Sequence, residues 1–270
     1  MSLCRRDIQE TRRIANGGMA RLALGIDREG NQLVVRELHR RLVFNLRMHR
    51  SFRRGTKIRF ELCPHPNLVC PLVRGYCGLV PYEIIEYVPG SNLRELIVNE
   101  PARIRNCALN VLRQVAAALT YMHTRQILHL DVKPENILVE MREDEAPVVK
   151  LTDFDLSRRF RGRAGRLHSG TASHMAPEQL KAGEVSYAND IFAFGVMAYY
   201  LVTGKMPFSG FSLDEVRRQQ VSRSFEVVEP KRHNSELAPK LNWIILKCLE
   251  KDPDRRFPNM AYLLQELGRI

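Results

Sequence analysis

The chain lacks a C-x-x-C pair, a long apolar run and an acidic content that would match its basic residues. Its six cysteines are scattered, which is typical of free thiols in a reducing compartment rather than of a disulfide framework or a zinc site. No uninterrupted apolar stretch approaches the ~20 residues of a transmembrane helix. The first ten residues, MSLCRRDIQE, lack the apolar core of a signal peptide. Together these absences predict a cytoplasmic protein without a transmembrane segment.

The charge balance is strongly positive. Lysine and arginine number 42 and aspartate and glutamate 30, so the formal net charge is +12. Such a surplus suits a nucleic acid, an acidic membrane surface or an acidic peptide. Few aromatic residues are interleaved with the basic ones and no nucleic-acid-binding module is recognisable. No specific nucleic acid is therefore expected, and a solvated basic surface, with or without an acidic partner, is the better interpretation.

Chain length and apolar content leave room for a substantial core. With 270 residues, 44% of them hydrophobic, the chain is large enough for one large domain or for two lobes that share a cleft.

One stretch, His129 to Leu138, concentrates polar side chains of catalytic type. Asp131 is followed by Lys133 and Asn136, and the apolar residues Ile137 to Val139 then predict a short strand. A second acid, Asp153, stands in the sequence Thr-Asp-Phe-Asp. A turn between a helix and a strand commonly presents functional groups to a cleft, although polar residues at such spacing can also simply cap a turn.

This spacing resembles the catalytic loop and the Asp-Phe-Gly turn of protein kinases. Other motifs follow in the family's order: an ending similar to G-T-x-x-Y-M-A-P-E at Ser169 to Glu178, a helix that carries Asp190, and Arg256 matched to the arginine that pairs with Glu178. The resemblance covers about Ile8 to Leu267. The chain is identified as an atypical member of the eukaryotic-type (Hanks-type) serine/threonine protein kinases, with departures of the pseudokinase kind.

The resemblance implies an α+β, bilobal protein-kinase-like fold. Residues 1–89 would form a small, mainly antiparallel β lobe with one helix, and residues 90–270 a larger, mainly helical lobe. Apolar periodicity predicts a single long helix from Ala102 to Thr124 in the second lobe. The sequence ends just after the last helix that the fold requires, as a domain cut from a longer protein would.

For the chemistry, the resemblance implies that Asp131 accepts or orients the proton of the substrate hydroxyl. Lys133, which is typical of serine/threonine kinases, would steady the transferring phosphoryl charge. Asn136 and Asp153 would hold Mg²⁺, a cation that prefers oxygen ligands.

The same resemblance implies an ATP site in the first lobe and along the hinge. Ile85 would guard the pocket behind the base, and backbone groups from Glu86 to Val88 would meet adenine. An ordinary hairpin and a buried strand remain the alternatives. The residues expected to line this nucleotide site are Ala15, Gly17, Gly18, Ala20, Leu22, Val34, Arg36, Ile85, Glu86, Val88 and Leu138.

Several positions depart from the family pattern. Arg36 stands in place of the lysine that grips phosphate, with a solvent-facing edge-strand arginine as the alternative, and arginine cannot be assumed to reproduce lysine's point contact. Gly55 occupies the position of lysine's glutamate partner on the following helix. Leu130 replaces the arginine before Asp131, so an activation-segment phosphate could not dock there. Asp155 replaces the glycine of Asp-Phe-Gly and could be a third metal ligand or a turn cap, the cap being slightly preferred.

Two functions remain open. The first is a working but weakened serine/threonine kinase that uses ATP and Mg²⁺ on a protein substrate. The second is a pseudokinase that acts as a binding or scaffolding module. Between His39 and Phe60 the chain has seven arginines, one lysine and no acid. The stretch from Ser157 to Arg166 is also basic. The basic helix could bind an acidic or phosphorylated protein, or could simply be a solvated face.

Overall fold

The computed structural model describes residues 5–160, 165–166 and 171–270. Cys4 and much of the predicted activation segment, including Ser169 and Gly170, lie outside the described residues.

The first part of the chain folds into a five-stranded antiparallel sheet. Its strands are β1 (Gln9–Asn16), β2 (Ala20–Ile26), β3 (Gln32–Leu38), β4 (Pro71–Cys77) and β5 (Val80–Glu86). They lie in the order β1-β2-β3-β5-β4. The predicted hairpin between Ile14 and Leu24 and the predicted strand Gln32–Leu38 are confirmed. Because β3 lies in the middle of the sheet, Arg36 is not an edge residue, and only 5% of it is exposed.

Helix α1 (Leu46–Leu62) connects β3 to β4. It begins after Asn45, whose side chain accepts a hydrogen bond from the Met48 amide, as an N-cap should. The helix passes unbroken through Gly55, although glycine weakens a helix by ~1 kcal/mol relative to alanine. Tertiary contacts on its buried face, which carries Phe52 and Ile58, offset that weakness.

The rest of the chain is mainly helical, which confirms the α+β fold. Its helices are α2 (Leu93–Asn99), α3 (Pro101–Asn106), α4 (Ala108–Thr124), α5 (Pro177–Ala182), α6 (Tyr187–Thr203), α7 (Leu213–Val221), α8 (Pro239–Cys248) and α9 (Met260–Gly268). Its short strands are β6 (Ser91–Asn92), β7 (Ile127–Leu128), β8 (Ile137–Glu140), β9 (Val148–Leu151), β10 (Arg158–Arg159), β11 (Gly165–Arg166) and β12 (Glu184–Val185). These strands form the small sheets β6-β8-β9, β7-β10 and β11-β12.

The prediction of one helix from Ala102 to Thr124 was wrong. The segment forms α3 and α4, which are separated at Cys107. There the Cys107 amide donates to the carbonyl of Ile104, three residues back, which tightens the last turn of α3. No glycine or proline marks the break, and the apolar periodicity continues across it, so the sequence pattern does not reveal it.

Helix α6 lies at the centre of the helical part and is apolar on all sides, as a fully buried helix is. It starts with a capping box between Ser186 and Asn189 and ends at Gly204, whose φ of 69° is left-handed. This burial holds Asp190, in the first turn, rigidly below the predicted catalytic loop. Within the described residues, no helix is both long enough and apolar enough to cross a membrane.

Candidate active site

A cleft of about 460 Å³ lies between the five-stranded sheet and the helical part. Every residue predicted for nucleotide binding lines it, together with Asp131, Asn136 and Asp153. Lys133 is not part of the lining but contacts Asp131. The cleft also takes in residues that the sequence reasoning missed, which are Arg59, Val69, Thr152 and Leu156 among others.

The inner walls of the cleft are apolar. Val34, Val69, Ile85 and Val88 form one buried cluster, and Leu138 packs against it from the other side. The Glu86 carboxylate is partly exposed and accepts hydrogen bonds from Lys150 Nζ at 2.7 and 2.9 Å. A slot with apolar faces and a few polar groups at its rim suits a flat, ring-shaped ligand.

At the other end of the cleft, the predicted catalytic residues form one hydrogen-bonded group. The Asp131 carboxylate accepts from Lys133 Nζ at 2.7 Å, from Asn136 Nδ2 at 2.8 Å and from Thr171 Oγ1 at 3.0 Å. Asn136 Nδ2 also donates to the Asp131 carbonyl at 2.8 Å, and Lys133 donates to Thr171 at 2.9 Å. The offsets of +2 and +5 in the sequence thus place an acid, a cation and an amide within direct contact.

Asp190 fixes the backbone behind this group. Its carboxylate accepts from the amides of His129 at 2.9 Å and Leu130 at 2.8 Å, and from His123 Nε2 at 2.9 Å. Burial alone would raise the pKa of Asp190, but the His123 hydrogen bond, the charge interactions with His123 and His129 and the His129 amide together outweigh burial and keep that pKa below its ordinary value. The bonds hold Leu130 in a left-handed conformation with φ of 65°.

Leu130 belongs to an apolar cluster and not to a charged pocket. It packs with Leu128 and Val185, and Phe160 and Tyr187 cover them. The position where an arginine would meet a phosphate is therefore filled by hydrophobic side chains.

Arg36 is bound by two buried carboxylates, neither of which the sequence reasoning had paired with it. Its Nη1 donates to Glu83 Oε1 at 2.8 Å, and its Nη2 donates to Asp155 Oδ2. Glu83 is fully buried and lies opposite Arg36 in the register of β3 and β5. An acid inside the otherwise apolar strand around Ile84 was the available signal. Glu37, the acid next to Arg36 in the sequence, instead binds Arg5 and Arg21.

A second arginine, Arg59 of α1, completes this buried charge group. Its Nε lies 3.5 Å from Glu83 Oε2, an ion-pair distance too long for a good hydrogen bond. Its guanidinium lies over the Phe154 ring, 4.8 Å from the centroid. The group thus contains two cations, Arg36 and Arg59, and two carboxylates, Glu83 and Asp155.

The structure does not show the turn cap that the sequence favoured for Asp155. Its carboxylate binds Arg36, so it is not a turn cap, and it is buried among charged groups. Burial raises the pKa of Asp155 to about 7, against the opposing effect of Arg36. The left-handed backbone, with φ of 61°, belongs to Asp153.

Gly55 faces this segment at close range. A Cβ atom at Gly55 would lie 2.8 Å from the Phe154 carbonyl oxygen and 2.9 Å from Asp155 Oδ1. No side chain fits there without a shift, so the position of the missing helix glutamate is occupied by the Asp155 segment itself.

Known proteins with similar sequences settle the family. A family profile described as "Protein kinase domain" matches residues 8–266. The chain belongs to the protein kinases.

Curated relatives place it among the Hanks-type serine/threonine kinases. The chain is 29% identical over 264 residues to serine/threonine-protein kinase PknB of Mycolicibacterium smegmatis, a match that covers 94% of this chain and 41% of that protein. It is 32% identical to serine/threonine-protein kinase PrkC of Bacillus subtilis, with coverage of 92% and 38%. It is 33% identical over 209 residues to a probable serine/threonine-protein kinase of Clostridium perfringens, with coverage of 76% and 30%. The chain thus spans about two fifths or less of the length of these relatives.

The kinase fold implies magnesium, and the residues present fit it. Burial alone would raise the pKa of Asp153, but the charges of Arg36 and Lys133, the Asp155 amide and His129 together outweigh burial and keep that pKa below its ordinary value, so this carboxylate is ionised at neutral pH. The Asn136 side chain donates both of its hydrogen bonds from Nδ2, which leaves its amide oxygen as the ligand atom. Within the described residues no three His, Cys, Asp or Glu side chains form a metal site. Further ligands would therefore come from phosphate and water.

The end of the activation segment is anchored as predicted. Arg256 Nη1 and Nη2 both donate to the Glu178 carboxylate at 2.8 Å, a bidentate pair. His174, in the place of the family's tyrosine, is buried, and its Nδ1 lies 3.1 Å from Ser173 Oγ. Burial lowers the pKa of His174 to about 4.

Replacing His174 by phenylalanine is expected to make the stability less sensitive to acid. The pKa of this imidazole is depressed in the folded kinase, so the unfolded chain binds a proton first as the pH falls. The stability that neutral His174 maintains is full above about pH 6.5 and is lost progressively toward pH 4. At pH 5 this loss amounts to about 2 kcal/mol.

Urea unfolding at pH 7, 6 and 5 checks this expectation. Between pH 7 and pH 5 the unfolding free energy of His174→Phe should fall by about 2 kcal/mol less than that of the wild type. His129, whose pKa burial also lowers, remains in both proteins, so the difference isolates His174. Parallel pH profiles would contradict the assignment.

Proposed function

We propose that this domain binds ATP with Mg²⁺ and transfers the γ-phosphoryl group to a serine or threonine hydroxyl of a protein. The observation that carries the proposal is the group of Asp131, Lys133, Thr171 and Asn136 at one end of an apolar-walled cleft that also contains Asp153. Phosphoryl transfer depends on positioning and charge neutralisation, which such a group supplies.

Each residue has a distinct role in this proposal. Asp131 accepts the proton of the attacking hydroxyl and orients it. Lys133, held 2.7 Å from Asp131, steadies charge on the phosphoryl oxygens. Asp153 and Asn136 hold magnesium, which neutralises phosphate charge when bound. We also propose that the domain is divided into two lobes, formed by residues 1–89 and residues 90–270.

The base would occupy the apolar slot. Leu22 and Val34 contact it from the sheet side, Leu138 from the helical side, and Ile85 limits its depth. Gly17 and Gly18 lie at the phosphate end, where a methyl group at Gly18 would meet no protein atom within 4 Å. Packing within the protein therefore does not demand that glycine, whereas the close approach of a phosphate does.

Turnover is proposed to be weaker than in kinases with the ordinary lysine–glutamate pair. Arg36 is shared between two carboxylates, which leaves less of its charge for phosphate. The same observation favours the second candidate, a pseudokinase that binds a nucleotide or a partner without efficient transfer.

A transfer assay with labelled ATP and a generic protein substrate tests the function. The wild-type domain should label serine and threonine only when Mg²⁺ is present, and Asp153→Asn should lose this labelling. The matched control Asp214→Asn, at an exposed aspartate that pairs with Arg217 one turn away, should label like the wild type. Nucleotide binding without any labelling would favour the pseudokinase, and magnesium-independent labelling would contradict the roles given to Asp153 and Asn136.

An acidic or phosphorylated protein is proposed as a partner of helix α1. A groove of about 760 Å³ lies between α1 and the strands β4 and β5, and no acidic residue lines it. Its cations are Arg50, Arg53, Arg54, Lys57 and Arg74. Arg53→Glu should weaken the binding of a phosphoserine peptide while the unphosphorylated peptide binds poorly to both proteins. Equal binding of the phosphopeptide to both proteins would indicate that the basic surface of α1 is a solvated face and not a binding site.

A further inference from the structure

We propose that Asp155 is a positioning residue for Arg36 and takes over the task that a helix glutamate has in kinases with the ordinary pair. In this domain the carboxylate that orients the phosphate-facing cation would sit on the Thr152–Asp155 segment and not on α1. The inference rests on the proposed nucleotide-binding function.

The Arg36 guanidinium is held from three directions. Glu83 fixes Nη1 at 2.8 Å, Asp155 binds Nη2, and the Phe52 ring lies 4.6 Å from the guanidinium carbon. Glu83 lies on the neighbouring strand of the same sheet, so it fixes Arg36 within the sheet only. Asp155 is the contact that ties Arg36 to the segment carrying Asp153.

Charge balance shows why Glu83 alone is insufficient. Glu83 is shared, because its Oε2 lies 3.5 Å from Arg59 Nε while its Oε1 binds Arg36. Without Asp155, two buried guanidinium groups would face a single carboxylate. An uncompensated buried charge is costly, so Asp155 is required to complete the group.

Gly55 and Asp155 are complementary. The Gly55 position has no space for a side chain because Phe154 and Asp155 occupy it. Helix α1 is nevertheless tied to the same segment by two hydrogen bonds to the Asp155 carbonyl. Ser51 Oγ donates one of them at 2.6 Å, and Arg54 Nη2 donates the other at 2.8 Å. The helix therefore keeps its place beside the segment while the carboxylate has moved from one to the other.

This arrangement links two parts of the nucleotide site. Asp153, proposed to hold magnesium, and Asp155, which orients Arg36, are separated by one residue, the fully buried Phe154. A change at Asp155 should therefore alter the affinity for Mg²⁺-ATP, and not only the stability of the fold.

The test is a set of dissociation constants for Mg²⁺-ATP measured by calorimetry on variants whose folding is verified by circular dichroism. Asp155→Asn keeps the volume and removes the charge, and should weaken binding by about tenfold or more. Gly55→Glu should also weaken binding, because its Cβ would lie 2.8 Å from the Phe154 carbonyl oxygen and 2.9 Å from Asp155 Oδ1 and would displace the segment that carries Asp155.

Glu61→Gln on the exposed side of α1 is the matched control and should bind as the wild type does. A change in packing alone would alter the melting temperature of a variant, so the inference is judged by the affinity for Mg²⁺-ATP. If Asp155→Asn does not fold, Asp155→Gly replaces it. Wild-type affinity in folded Asp155→Asn or in folded Asp155→Gly overturns this inference alone. A wild-type protein that binds no nucleotide overturns the proposed function and this inference with it.

Discussion

Replacing Glu83 by alanine should lower the free energy of unfolding by about 3–5 kcal/mol, the cost of breaking a buried ion pair. Glu83 has no exposed surface and faces Arg36 at 2.8 Å and Arg59 at 3.5 Å. Alanine would leave two guanidinium groups with Asp155 as their remaining close carboxylate. Since a domain is stable by only about 5–15 kcal/mol, this loss should be large enough to affect expression.

Urea denaturation followed by circular dichroism measures the effect of Glu83→Ala. The control is Glu61→Gln on α1, which removes the charge of a partly exposed partner of Lys57 and Arg159. Surface pairs contribute little, so the control should change stability by less than about 1 kcal/mol. A Glu83→Ala protein within that same range would show that the buried charge group is not a stabilising unit.

Replacing Asp131 by asparagine should reduce phosphoryl transfer by about 10²–10⁴-fold, the usual contribution of a general acid or base. Asparagine has nearly the same size and can still accept a hydrogen bond from Lys133 or Thr171, but it cannot accept the substrate's proton. Because Asp131 lies at the far end of the cleft from the apolar slot, the affinity for ATP should change little.

Turnover and ATP affinity are to be measured on the same Asp131→Asn preparation, so that loss of transfer is separated from loss of binding. Asp144→Asn is the control, since Asp144 is exposed and its left-handed φ of 58° suits asparagine. Equal transfer by wild type and Asp131→Asn would contradict the role of Asp131 as the group that accepts the proton of the substrate.

The sequence predicted the parts of the fold and site that depend on local pattern. The strands around Gly17 and from Gln32 to Leu38 were recognisable from alternation and turn residues, and the Asp131 loop from its spacing. Spacing along one loop fixes distances directly, which is why Lys133 and Asn136 contact Asp131 as expected.

What the sequence did not reveal depends on contacts between distant segments. Arg36 and Glu83 are 47 positions apart, and only the pairing of β3 with β5 brings them opposite each other. Asp155 is 119 positions from Arg36. The absence of a helix acid at Gly55 was readable, but its replacement by a carboxylate from another segment was not, because no local periodicity connects the two.

The most direct test of the central claim is a calorimetric titration of the wild-type domain with ATP, with and without Mg²⁺. The account predicts one saturable site, tighter with Mg²⁺ than without, and loss of the magnesium effect in Asp153→Asn. Absence of binding up to about 1 mM ATP, the upper end of ordinary enzyme affinities, would contradict it.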